Sequence, residues 1–228
     1  MNSIAPTDQP SARIYQPRFF LFTKSYRITF LMKKISLTLR ESQEKTIPLV
    51  WASTGSASDE TSGPEEISVR AKLVGRGAKL NLVGAFFLAN KDEVKLNVNI
   101  EHIAPDTTSD TLIKSVLTDR AIGSFYGLVT IAKGAKNTDT FFREDALLLS
   151  DTAKAEAVPS LEIDENEVKA GHASTVGPVD EEQLFYLMSR GITRKEAESL
   201  VVKGFFYPVL EKLPDKEKLE TILNRIIK

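Results

Sequence analysis

The chain has 228 residues, 42% of them hydrophobic and 27% charged, which is the composition of a folded globular protein rather than a disordered one. Thirty Lys and Arg balance 31 Asp and Glu, leaving a formal net charge of -1, so no global field draws it to nucleic acid or anionic lipid. It has no cysteine, which excludes disulfides, thiolate nucleophiles and Cys-ligated zinc or iron-sulfur clusters held by this chain alone.

The first thirty-odd residues differ from the rest. Pro6, Pro10 and Pro17 break up the opening, and Arg18 to Leu31 mixes aromatics with cations. A transmembrane span needs about 20 predominantly apolar residues, and Lys24 and Arg27 interrupt this one midway. The stretch is therefore not expected to be an anchor. Asp8 is the only acid before Glu41, a bias shared with transit peptides. The favoured alternative is that translation begins at Met32-Lys33-Lys34 and residues 1–31 form an upstream extension. The expected organisation is an irregular extension over 1–34, a β body over 35–178 and a helical unit over 179–228.

From Ile35 onward the pattern alternates. Ile67, Val69, Ala71 and Leu73 interleave with Ser68, Arg70 and Lys72, and Val94, Leu96, Val98 and Ile100 with Lys95, Asn97 and Asn99. Period-2 runs of this kind predict strands with one buried face. Further strands are expected near 46–52, 79–89, 111–117, 122–132, 138–149 and 158–163, with turns at 59–66 and at Gly75-Arg76-Gly77. Many short strands without intervening helices admit a sandwich, a barrel or a β-solenoid. Gly77-Ala78-Lys79 recurs as Gly134-Ala135-Lys136, an echo that favours stacked rungs with equivalent corners.

Near residue 180 the period changes. Asp180 precedes Glu181 and Glu182, acids that suit the positive end of a helix, and Leu184, Leu187 and Met188 supply its stripe. Gly191 is expected to end it. Thr193-Arg194-Lys195-Glu196 reads as a capping box for a second helix carrying Ala197, Leu200 and Val201, with Gly204 and Pro208 terminating it. Leu219, Ile222, Leu223, Ile226 and Ile227 then follow amphipathic spacing behind Pro214-Asp215, predicting a third helix.

The chemistry of an enzyme is not apparent. Neither His102 nor His172 lies in a nucleophile elbow, no Walker-type loop is present, and Gly75-Arg76-Gly77 lacks the remainder of a dinucleotide fingerprint. Asp164-Glu165-Asn166-Glu167 reads as a solvated rim. Each histidine taken alone reads as structural or exposed, because one imidazole does not hold a metal without partners.

The run Pro159-x-Leu161-Glu162-Ile163, then Val168 to Gly177 with His172 at its centre, then Asp180-Glu181-Glu182-Gln183-Leu184-Phe185-Tyr186-Leu187 with Ser189-Arg190-Gly191-Ile192 and Gly204-Phe205, resembles the C-terminal signature of the SufB/SufD family of iron-sulfur cluster assembly proteins. Glu101-His102 to Ser109, Gly127-Leu128-Val129 and Leu147-Leu148-Leu149-Ser150-Asp151 follow the family in the same order, over roughly residues 65–210. The chain looks closer to the SufD side, since SufB-type chains resemble His-Glu-Ala-Thr where it has His172-Ala173-Ser174-Thr175.

The resemblance implies a right-handed parallel β-helix followed by a small helical domain that docks a SufC-type ABC ATPase, in a non-enzymatic, cytoplasmic subunit. It implies that His172 acts near a subunit interface during iron or cluster acquisition. Asp180, Leu184, Phe185, Tyr186, Arg190, Gly191, Gly204 and Phe205 match the ATPase-docking unit. The chain departs from the pattern in having too few residues for the family's long N-terminal region, Phe142 and Ala146 where Gln and Asn are favoured, Ala170 where a Cys is frequent, and Ala173 after the histidine. Without a thiolate it holds no cluster alone, so iron or a cluster is expected only transiently, shared with a partner. That partner is a SufB-like paralogue or a second copy; nucleic acid and membrane are not expected. A homo-oligomeric regulator of the ATPase and, behind it, a divergent β-solenoid hydrolase or lyase remain as alternatives.

Overall fold

The computed structural model describes residues 34–53 and 65–213. The readings of an N-terminal extension and of a third helix beyond Pro214 lie outside these residues. Ten strands alternate between two sheets, and two helices follow.

One sheet has the order β1 (Lys34–Leu39), β3 (Glu65–Leu73), β5 (Glu93–His102), β7 (Ile122–Ile131), β9 (Lys154–Ile163); the other runs β2 (Glu44–Ala52), β4 (Lys79–Leu88), β6 (Thr108–Leu117), β8 (Asp139–Leu148), β10 (Lys169–Pro178). Every neighbouring pair is parallel. Parallel neighbours need a long crossover, and here the strand of the opposite sheet supplies it. The result is a β-solenoid, which the resemblance implies and which the alternation admitted beside a sandwich or a barrel.

Alternation decides what fills the interior. Val69, Val98 and Gly127 occupy one register row, Leu49, Gly84, Ile113 and Glu144 another. Leu82, Val69, Leu96, Ile100, Phe86 and Phe125 are buried between the sheets, and Phe86 meets Phe125 edge-on at 5.5 Å. Gly127 is required here: a Cβ on it would lie 2.3 Å from the Phe142 ring of the opposite sheet.

The corners stack as well, though not through the repeated tripeptide. Lys79 is in register with Thr108, and Thr108 with Asp139, so Gly77 stacks on Asp106 and Asn137, and Gly134 sits three residues out of step. The shared feature is backbone conformation: Ser42, Gly77, Asp106 and Asn137 all have positive φ. Asp106 donates its N–H to Lys136 O at 2.8 Å and Asn137 to Glu167 O at 2.7 Å. Gly, Asn and Asp tolerate this conformation best. Side chains reinforce it, with Asn137 Nδ2 donating to Asp106 Oδ1 at 2.9 Å.

Two helices cover the outer face of the β2–β10 sheet. Helix α1 (Glu181–Ser189) is capped by Asp180, whose carboxylate accepts from Glu182 N at 2.9 Å, and ends with Gly191 at φ 87. Helix α2 (Arg194–Lys212) starts on the expected capping box: Glu196 Oε2 accepts from Thr193 N at 2.9 Å, and Thr193 Oγ1 from Glu196 N at 3.3 Å. It runs through Gly204 and Pro208 instead of ending there. Proline removes one i→i−4 bond and its ring crowds a carbonyl. Burial of Val202, Phe206, Val209, Leu210 and the following Leu213 against Val83, Ala85, Leu112 and Val116 offsets that loss. Leu200, expected in the helix stripe, is instead 47% exposed.

Candidate functional site at the open end of the solenoid

Strand β10 was not anticipated. Its small and polar residues, Gly171, Ala173, Ser174 and Gly177, carry little strand propensity, and it pairs on one side only, with β8. His172 therefore lies in the middle of an edge strand, rather than after the last strand as its sequence context suggests. Register places His172 beside Phe142 and Ser174 beside Glu144. Phe142 and Glu144 are interior residues, so His172 and Ser174 hold interior-type positions. With no further coil stacked on β10 among the described residues, both are exposed. No hydrogen bond or ion pair holds the His172 ring among these residues.

His102 is the opposite case. It is fully buried, with Nδ1 2.8 Å from Thr107 Oγ1 and Nε2 2.8 Å from Ser109 Oγ. Thr107 Oγ1 donates to Ala104 O at 3.2 Å, and Ser109 Oγ lies 2.6 Å from Thr140 Oγ1. Burial lowers the His102 pKa to about 4, so the ring is neutral at physiological pH. Both ring nitrogens are occupied and no water reaches them. His102 is a structural histidine.

Glu144 escaped the sequence reading. It is 1% exposed, its Oε1 has no hydrogen-bond partner, and burial first, then the charge of Asp145, pushes its pKa up to about 8. The available signal was an acid at an interior step of the alternation Phe142-x-Glu144-x-Ala146-x-Leu148. Asp145 faces the other way, 3.1 Å from Lys114 Nζ and 3.0 Å from Arg143 Nε. Glu165 is likewise no solvated rim residue: it accepts from Gly134 N at 3.0 Å and Asn166 N at 2.9 Å, and those amides hold its pKa below the ordinary value.

The residues expected to dock a partner separate into two kinds. Leu184 is fully buried with Val179 and Ala197, so it anchors α1 to the body. Asp180 and Gly191 delimit that helix. Phe205 is half-buried, with Lys114 Nζ 4.2 Å above its ring and Phe206 at 5.7 Å. Phe185 is 73% and Tyr186 58% exposed, joined by Met188, Leu200 and Tyr207. Arg190 stacks on Tyr186 at 5.2 Å and donates to its hydroxyl at 3.1 Å. Gly204 is exposed. Among the described residues no three His, Asp or Glu side chains form a group able to hold a metal ion, and no helix is long and apolar enough to cross a membrane.

The family model for the SufBD core domain of the SUF system for Fe-S cluster assembly covers residues 65–205. The chain belongs to the SufBD family. Two relatives from Mycobacterium tuberculosis, both described as iron-sulfur cluster assembly SufBD family proteins, are 37% identical. One aligns over 155 residues, 68% of this chain and 18% of the relative; the other over 168 residues, 70% of this chain and 42% of the relative. A Mycobacterium leprae relative of the same description is 36% identical over 155 residues. The chain thus spans less than half the length of these SufBD relatives, and the family model runs from the start of β3 into α2.

Proposed function

We propose that this SufBD-family chain is a SufD-like, non-catalytic subunit of a Suf-type assembly complex. Its open solenoid end pairs with a cysteine-bearing SufB-type paralogue, and its helical foot binds a SufC-type ABC ATPase. Iron or a nascent cluster is cargo shared across the pair, with His172 as this chain's contribution. The observation that carries the reading is the exposure of His172 at an interior-type position of an edge strand paired on one side only among the described residues, where an incoming strand surface would cover it. The lack of cysteine supports a division of labour in which the partner supplies sulfur ligands.

Support for the foot comes from its exposed anchors. Phe185 and Met188 are i,i+3 neighbours on α1, and aromatic side chains of this kind are typical anchors in partner grooves. Deleting residues 180–228 is a poor test, because α2 covers apolar residues of the sheet. Phe185→Glu is a clean one: it is expected to abolish co-purification of the ATPase while leaving the melting temperature unchanged. Retained binding would remove α1 from the contact. His172→Ala is expected to leave the fold and the ATPase contact intact and to impair cluster delivery in cells; undiminished delivery would refute the role given to His172.

A further inference from the structure

We propose that the outer face of β2, beside helix α2, is the docking surface for residues 219–227 of the same chain, which thereby strap the first coil of the solenoid to the helical foot. The inference is independent of the roles given to His172 and Phe185. A parallel sheet is normally covered on both faces. On the sheet that begins with β2, helix α2 lies over β4 and β6, against Val83, Ala85, Leu112 and Val116. In register beside Val83 and Ala85 stand Pro48 and Val50 of β2, which are only half-buried. With half-buried Phe87 they extend the apolar floor past the helix to the sheet edge.

The flank of α2 toward β2 is apolar too. Phe205 marks the other flank, since Lys114 Nζ lies 4.2 Å from its ring centre and 3.1 Å from Asp145 on β8. At 3.6 residues per turn, Leu200 and Tyr207 fall on the side of the helix away from Phe205, and they are 47% and 57% exposed. Floor and wall together make an apolar step along β2.

The sequence supplies an occupant of the right length in the right place. Helix α2 runs antiparallel to β6, with Phe205 over Lys114 and Lys212 paired to Asp110 near the start of that strand. It therefore delivers Leu213, buried in the same cluster as Val83 and Ala85, to the end of the sheet where β2 begins. In the residues that follow, Leu219, Ile222, Leu223, Ile226 and Ile227 repeat at helical spacing. Residues 214–218 can span up to about 16 Å, against the roughly 9 Å between packed helices, and so short a connection favours an antiparallel neighbour. Nine helical residues measure about 13.5 Å, the run of about four strand residues, which is the stretch of β2 that carries Pro48 and Val50.

The chain has no cysteine, so a single Val50→Cys thiol reports cover at this face. In the full chain it is expected to react with a maleimide at least tenfold more slowly than in a chain that also carries Leu219→Ser, Ile222→Ser and Ile226→Ser. Ser160→Cys, at an exposed position of β9 on the other sheet, is expected to react alike in both. A disulfide checks the contact without loosening it: Val50→Cys with Ile222→Cys or Leu223→Cys is expected to cross-link within one chain under mild oxidation, whereas Val50→Cys with Thr221→Cys, opposite the stripe, is not. Equal labelling with and without the serines, or cross-linking that ignores the stripe, overturns the proposal. Protection that rises with protein concentration gives the face to a second copy and overturns it as well.

Discussion

His102 and His172 both occupy interior-facing steps of the same stack, yet their surroundings are opposed. His102 sits beneath later coils, where Ile131 covers it in register and two hydroxyls hold both ring nitrogens. His172 stands on β10, the last strand of its sheet among the described residues, and is exposed. The residue type is the same; the rung differs. In a solenoid, a polar side chain within the stack is sealed and must be satisfied internally, whereas one at the terminal coil is available to whatever caps the end.

The sharpest way to break that contrast is at the buried histidine. His102→Ala is expected to cost about 3 kcal/mol, because it removes a packed ring and strands the Thr107 and Ser109 hydroxyls. Urea unfolding followed by circular dichroism measures it, and a loss below about 1 kcal/mol would show the cradle to be incidental.

Titration separates the interior groups by sign. His102 has a folded pKa of about 4 against about 6.5 unfolded. The unfolded state therefore binds the extra proton first, and stability is lost as pH falls from about 6.5 to about 4, by up to about 3 kcal/mol. Glu144 acts oppositely. Its folded pKa is about 8, so its favourable contribution is complete below about pH 4.5 and is lost as pH rises to about 8. Glu144→Gln is accordingly expected to be more stable than the parent by roughly 1–3 kcal/mol at pH 8 and indistinguishable from it near pH 4.5. Measuring the His102 slope in the Glu144→Gln background isolates it. A Glu144→Gln protein less stable than the parent at pH 8 would mean that the carboxylate has a compensating partner.

The smallest effect belongs to the exposed end. His172→Ala is expected to change stability by no more than about 0.5 kcal/mol. A larger loss in thermal unfolding would place that ring in the structural class with His102.

Much of this was legible in the residues. Val94, Leu96, Val98 and Ile100 announced an interior face through strict alternation, and Thr193 with Glu196 announced the start of α2 through a local capping motif. What escaped notice depended on contacts distant in sequence. Strand β10 is held by β8, not by its own propensity; Glu144 is marked only by its interior step in the β8 alternation, and its lack of a hydrogen-bond partner depends on the strands packed around it. Pro208 looked like a stop because the apolar face that carries α2 past it lies on β4 and β6. The Gly-Ala-Lys echo pointed to the right fold without marking equivalent positions, because the β7–β8 corner is longer than the β3–β4 corner and Gly134 falls out of phase with Gly77. The role proposed for His172 comes from the ordered signature around it, not from its spacing.

Affinity capture of the intact chain from its native cells, with identification of the bound chains and quantification of iron, tests the proposed assembly most directly. The expected catch is an ABC-type ATPase together with a cysteine-bearing paralogue, the latter lost when the β10 edge is blocked by Ser174→Pro. Recovery of the chain alone, or of a self-dimer with neither companion, would contradict it.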